Sequence, residues 1–290
     1  MSNEKPVITQ AMVNAYDDFT HRSLDRRAFM ERLTQLAGST AAATAIVPLL
    51  AASAAKAAIV PEDDARLTTA AVTFGDGMKG YLVRPATVSA ALPSVIVIHE
   101  NRGLNAHIRD VARRMALEGF VALAPDFLSP LGGTPANEDD ARTLIGKLDG
   151  AQTAANAEAS LEWLEGQNFT RPATGAMGFC WGGGLVNTFA TTSPKLKAGV
   201  AYYGMQPPAE AVPDIHAAML LHYGALDERI NAGIPAYEAA LKASHKTYEI
   251  HVYDGANHAF NNDTSEARYN KAAADLAWSR TVKWFKTYLV

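Results

Sequence analysis

The single cysteine of the 290-residue chain, Cys180, lies in the segment Gly178-Phe179-Cys180-Trp181-Gly182-Gly183. A thiol attacks only as its thiolate, and an ordinary pKa of about 8.5 leaves little of it at neutral pH. Glycines on both sides of the cysteine, after the run Thr174–Gly178, predict a sharp strand-to-helix turn. Such a turn presents the sulfur at a helix N-terminus, where the dipole favours negative charge. It also offers the backbone N–H of Trp181 to a developing oxyanion. A small buried cysteine packs between glycines equally well, so the choice depends on what else converges there.

Three further residues follow runs that read as strands. Glu100 comes after "SVIVIH", Asp227 lies in "YGALDERI", and His258 in "DGANHAF". A histidine in a turn can reach a nucleophile as its base, and a carboxylate can fix that histidine's tautomer and orientation. Each has a plainer reading. Asp227 could cap the helix after it, its neighbour Glu228 could take its place, His258 is one of eight histidines, and Glu100 could be merely solvated. The order nucleophile, acid, base along the chain favours the chemical reading of Cys180, Asp227 and His258.

These residues must be held by an alternating framework. Ala70–Phe74 and Gly80–Arg84, split by Gly75-Asp76-Gly77, read as a hairpin. Continuous apolar runs at Ser94–His99, Phe120–Ala124, Thr174–Gly178, Lys197–Tyr203, Ala217–Tyr223 and Tyr248–Tyr253 read as buried strands. Helical patterns separate them over 106–118, 137–148, 153–167, 183–192 and 235–243, and a last one covers 265–288. The breaker-rich stretch 128–136 reads as a loop at a pocket rim. The pattern predicts an α/β fold with a mostly parallel central sheet and helices on both faces. Ligands in such sheets sit beyond the carboxyl ends of the strands, which is where all four residues fall.

At this point the motifs resemble the dienelactone hydrolase family (carboxymethylenebutenolidases), which has an α/β-hydrolase fold. "GFCWGG" resembles its cysteine elbow, "HENRGL" its first-strand loop, "APDF" its "PDL" segment, and "GALDERI" and "YDGANHAF" its acid and base motifs. The likeness spans about residues 68–290. It implies Cys180 as nucleophile, His258 as base and Asp227 as orienting acid. It further implies Glu100 as the carboxylate that contacts the resting thiol, and the N–H groups of Asn101 and Trp181 as an oxyanion hole. The implied reaction is hydrolysis of a small ester or lactone through a cysteine thioester, with no metal or organic cofactor. The family's archetypes bind a substrate carboxylate through an arginine four residues after the histidine; here that position is Asn262. The departure keeps open a broad carboxylesterase or thioesterase without lactone preference, and a non-hydrolytic binding protein on the same fold. Arg102, Tyr203 and Phe260 are the candidate substrate contacts, with Arg142 near the rim.

Composition is consistent with one large domain: 48% hydrophobic residues, 19% charged and a formal net charge of −4, without the basic excess that nucleic-acid binding calls for. One cysteine excludes an intrachain disulfide and a multi-cysteine zinc site. The N-terminus differs in character. Asp25-Arg26-Arg27-Ala28-Phe29-Met30 precedes an alanine-rich apolar stretch, Leu33–Ala55, and then Ala55-Lys56-Ala57. This resembles a twin-arginine export signal with its cleavage site. The expected division is therefore residues 1–57 as signal and lead and 58–290 as the α/β-hydrolase domain, with export to the periplasm. The alternative is a cytoplasmic protein that keeps its N-terminus. Pro48 and the Ala, Ser and Thr content make the apolar stretch a poor permanent membrane span. Oligomeric state is not legible.

Overall fold

The computed structural model describes residues 7–21, 24–51 and 58–290. Its centre is an eight-stranded sheet of β1 (Leu67–Phe74), β2 (Met78–Pro85), β3 (Leu92–Ile98), β4 (Val121–Asp126), β5 (Thr170–Phe179), β6 (Ala198–Tyr202), β7 (Ala218–Gly224) and β8 (Tyr248–Tyr253), ordered β1-β2-β4-β3-β5-β6-β7-β8. The expected hairpin forms, with β1 antiparallel to β2 and β2 antiparallel to β4; every later pairing is parallel. Register aligns the strand ends that matter, with Ile98 opposite Gly178 and Tyr202 opposite both Phe179 and His222. The loops bearing Glu100, Cys180 and Asp227 therefore leave the same end of the sheet, after β3, β5 and β7.

The helices are α1 (Gln10–His21), α2 (Arg26–Ala37), α3 (Thr40–Leu50), α4 (Ala106–Leu117), α5 (Glu138–Ile145), α6 (Gly150–Glu165), α7 (Trp181–Thr192), α8 (Glu228–Asn231), α9 (Ile234–Ala243) and α10 (Lys271–Tyr288). β3 explains why both faces of the sheet need cover. Val95 and Val97 pack with Ile108, Met115 and Phe285 on one side, while Ile96 and Ile98 pack with Leu161, Val186 and Leu221 on the other. Successive side chains of a strand point to opposite faces, so an unbroken β-branched run is stable only between two helical layers.

Two boundaries differ from the sequence reading by four residues or more. β5 begins at Thr170, earlier than Thr174. The last helix begins at Lys271 and not near Ser265, because the Asn270 side chain accepts from Ala273 N as its N-cap. Residues 261–270 instead form turns at the rim of the sheet.

The larger difference is N-terminal. α1, α2 and α3 enclose a small core of their own, in which Met12, Tyr16, Phe19, Phe29, Leu33, Ile46 and Leu50 are buried. Asp25 caps α2 by accepting from Ala28 N, and Ser39 caps α3 by accepting from Ala42 N. No single described helix is long and apolar enough to cross a membrane; α2 and α3 together have the length and composition but are bent by 110°. The Ala55-Lys56-Ala57 pattern lies outside the described residues.

Candidate active site

Cys180 sits where β5 turns into α7. Its backbone has φ 56° and ψ −114°, a conformation that costs a non-glycine residue of order 1–3 kcal/mol. The surrounding glycines make the turn possible. A Cβ on Gly178 would lie 2.2 Å from the carbonyl oxygen of Gly182, and one on Gly182 would lie 2.4 Å from that of His99. Trp181 opens α7 directly after the sulfur. Its N–H belongs to the first turn, which has no intrahelical acceptor.

His258 and Asp227 meet as the motif order predicts. His258 Nδ1 donates to Asp227 Oδ2 at 2.5 Å, and Asp227 Oδ1 also accepts from Ile230 N at 3.2 Å, capping α8. Asp227 thus caps α8 with one oxygen and orders His258 with the other. Burial opposes charge on His258, but the Asp227 carboxylate, with Cys180 behind it, outweighs burial and lifts its pKa to about 10. Burial likewise opposes charge on Asp227, and His258 overcomes it and holds the carboxyl below its usual range. The other ring nitrogen, His258 Nε2, is buried without a hydrogen-bond partner.

The contact on the sulfur comes from an unexpected residue. His21 Nε2, at the end of α1, lies 3.0 Å from Cys180 Sγ. His21 Nδ1 lies 3.0 Å from the Asp17 carbonyl oxygen and 2.8 Å from Thr20 Oγ1. A carbonyl can only accept, so Nδ1 carries the proton and Nε2 presents a bare lone pair. Burial and then the neighbouring His258 hold the His21 pKa well below its usual value, keeping the ring neutral. That lone pair faces the sulfur at hydrogen-bond distance.

Glu100 is engaged elsewhere. Its carboxylate accepts from Asn262 Nδ2 at 2.7 Å and from the Tyr203 hydroxyl at 3.4 Å. Asn262 therefore satisfies the buried carboxylate from the position where the archetypes carry arginine. The other candidates divide as follows. Asn101 stands beside the sulfur, its side chain donating to the Thr20 carbonyl at 3.2 Å. Tyr203 is fully buried with φ 41°, and its ring lies 5.0 Å from that of His258. Arg102 donates to Glu138 at 2.5 Å and to the Tyr16 hydroxyl at 2.7 Å, so it is committed within the protein. Phe260 is a correction: it is fully buried against Tyr203 and Tyr253 in the core and lines neither cavity at the sulfur, because the turn at Ala259 points its ring into the sheet.

A cavity of about 550 Å³ opens beside the sulfur, walled by Trp181, Leu185, Met205, Pro207, Ile145 and Tyr203 and closed on one side by Thr20 and His21. Four more contacts fasten α1 over it. Arg268 donates to Asp17 at 3.3 Å, Arg142 to the Phe19 carbonyl at 2.7 Å, Arg102 to Tyr16, and Asn101 to Thr20. The sequence reading missed His21 and Arg268 here. The available signal was the apolar spacing Met12, Ala15, Tyr16, Phe19 on an i, i+3, i+4, i+7 pattern, which marks an amphipathic helix rather than an unstructured lead.

A profile of the dienelactone hydrolase family matches residues 78–289. The chain belongs to the dienelactone hydrolase family. A protein named as a carboxymethylenebutenolidase in Escherichia coli strain K12 is 35% identical over 243 residues, covering 78% of this chain and 89% of its own. A Bradyrhizobium protein named as a 2-oxo-3-(5-oxofuran-2-ylidene)propanoate lactonase is 31% identical, covering 75% of this chain and 92% of its own. Among solved structures, a dienelactone hydrolase from Klebsiella pneumoniae is similar with TM-score 0.69 and 32% identity, over 77% of this chain and 99% of its own. Membership in the dienelactone hydrolase family makes the chain a hydrolase. The family match begins at residue 78, so α1, α2 and α3 lie outside it.

Proposed function

We propose that the protein hydrolyses a small carboxylic ester or lactone through a thioester on Cys180. The observation that carries the reading is the strained elbow at Cys180 beside a histidine locked to a buried aspartate. With a pKa lifted to about 10, His258 holds the proton of the thiol on Nε2, and with substrate in the cavity the Cys180 thiolate attacks the carbonyl carbon. The oxyanion is received by the N–H groups of Trp181 and Asn101. The tetrahedral intermediate collapses, the alkoxide leaves with the proton from His258, and the acyl group remains as a thioester. A water that gives its proton to His258 then releases the acid and regenerates the thiolate. Asp227 holds the ring in the required tautomer throughout.

The names of the curated relatives support a lactone as substrate. Arg102, Arg142 and Arg268 all bond to protein groups and Asn262 is spent on Glu100, which favours a broader ester specificity; Arg229 is the further arginine in the cavity wall. Hydrolysis of p-nitrophenyl acetate by wild type and by Cys180→Ala tests the nucleophile, and equal rates in the two would sink it. A chain without activity on any ester or lactone would point to a binding protein. We also propose export by a twin-arginine signal within residues 1–57, supported by the exposed Arg26-Arg27 pair before an apolar helix. N-terminal sequencing of protein recovered from the periplasm tests export and cleavage after Ala57 together.

A further inference from the structure

His21 has no part in the thioester reading, yet it stands closer to the sulfur than a van der Waals contact and is oriented from behind. We propose that His21, Cys180 and His258 form a Cys-His₂ site for a zinc-class divalent cation, assembled jointly by the N-terminal helix and the sheet, and that a bound cation silences the hydrolase.

Four observations converge on this site. The sulfur and one nitrogen of each imidazole lie within 4.8 Å of one another, near the spacing of about 3.3–3.8 Å that tetrahedral bonds of about 2.0–2.3 Å impose. Small side-chain rotations close the remainder. Each histidine already donates from its far nitrogen to an oxygen, His258 Nδ1 to the Asp227 carboxylate and His21 Nδ1 to the Asp17 carbonyl. Metal-holding histidines carry this outer bond almost without exception, because it fixes the tautomer and aims the lone pair. His258 Nε2 is buried and has no partner, although buried polar atoms are nearly always satisfied. Finally, the cavity adjoins the sulfur, leaving a fourth position for water.

One soft thiolate with two imidazoles suits zinc, cobalt or copper and not magnesium or calcium. Binding forms one metal–sulfur and two metal–nitrogen bonds. The thiol proton, with any proton on His258 Nε2, passes to solvent, and no electron is transferred. The cation occupies the proposed nucleophile and base together and ties α1 to the cleft. Removal of residues 1–57 would take the third ligand away.

Titration of the full chain with cobalt(II), read by the thiolate-to-cobalt charge-transfer band, tests the site. A zinc chelator competition gives affinities. Wild type should bind one equivalent and show the band, and Cys180→Ser should lose it. His21→Ala and His21→Phe, each checked for folding by circular dichroism, should bind zinc at least about 100-fold more weakly, since even outer partners are worth about 10–100-fold. The exposed His216→Ala should match wild type. Zinc should inhibit wild-type ester hydrolysis at concentrations that leave His21→Ala active. Unchanged zinc affinity in both His21 variants, or a wild type without the cobalt–thiolate band, overturns the proposal. The site stands or falls apart from the hydrolase reading: tight cobalt binding by a chain that cleaves no ester would sink only the latter.

Discussion

In the proposed reaction Asp227 serves structure and chemistry with separate atoms. Oδ1 caps α8 and Oδ2 orders His258. Asp227→Asn keeps the capping oxygen and loses the charge, so the fold should survive while turnover falls, on the order of 10⁴-fold for a triad aspartate. Steady-state kinetics with a matched urea unfolding curve checks this; a large loss of stability with modest loss of turnover would reverse the assignment. A second titration concerns His222. Burial, then His251 and Arg280, hold its pKa well below the ordinary value, and it is bonded neutral to Tyr253 and Thr281. A depressed histidine pKa means that the unfolded chain takes up a proton near pH 6.5 that the folded chain refuses. Stability is therefore present above about pH 6.5 and lost as pH falls below it, by up to about 1.4 kcal/mol per pH unit for each such histidine. Urea midpoints between pH 7.5 and 5.5 should fall less steeply in His222→Gln than in wild type.

The elbow sets the limits on substitution at the scale of elements. Gly182→Ala would place its Cβ 2.4 Å and 2.6 Å from the carbonyl oxygens of His99 and Ile98, backbone atoms of the neighbouring strand end. A destabilisation of about 3 kcal/mol is expected, with loss of activity beyond it as the sulfur shifts. Gly150→Ala, at the first residue of α6, meets nothing within 4 Å and should be neutral or stabilising by up to about 1 kcal/mol. Thermal melts of the two variants make the comparison. The strands and the elbow were legible in the sequence because β-branched runs and flanking glycines are local signals. The partner of Glu100 was not, since Asn262 reaches it from a turn 162 residues away. Nor was the role of α1, whose amphipathic pattern lies just before a paired arginine and an apolar stretch that together read as a leader. Phe260 was misplaced for a related reason: an aromatic next to a reactive histidine can face either the cavity or the core, and only the turn at Ala259, with φ 61°, decides between them.

At the scale of the whole molecule, α1, which with α2 and α3 lies outside the family match, borders the cleft at the sulfur through Thr20 and His21. Arg268, Arg102 and Arg142 each donate to α1, so these three arginines face the protein's own chain. In the uncleaved chain, the expected outcome is that substrate entry depends on how firmly α1 is held. The Asp17–Arg268 pair is the contact to remove, because Arg268 is buried and Asp17 is its one carboxylate partner among the described ion pairs. Burial raises the Asp17 pKa, and Arg268 works against that rise; a buried ion pair of this kind is weak evidence for net stability. Removing one partner is different, since it leaves the other charge stranded, at a cost of about 3–5 kcal/mol for a fully buried pair. In Asp17→Ala that cost is relieved when α1 lifts and water reaches Arg268. The amides of α1 should then exchange faster while those of β3 and β5 keep their protection. Bulky aryl esters should gain several-fold in kcat/KM, and p-nitrophenyl acetate should change little. Hydrogen exchange read by mass spectrometry separates the alternatives: unchanged protection across 10–21 would mean that Tyr16 and Phe19 hold the helix without the ion pair.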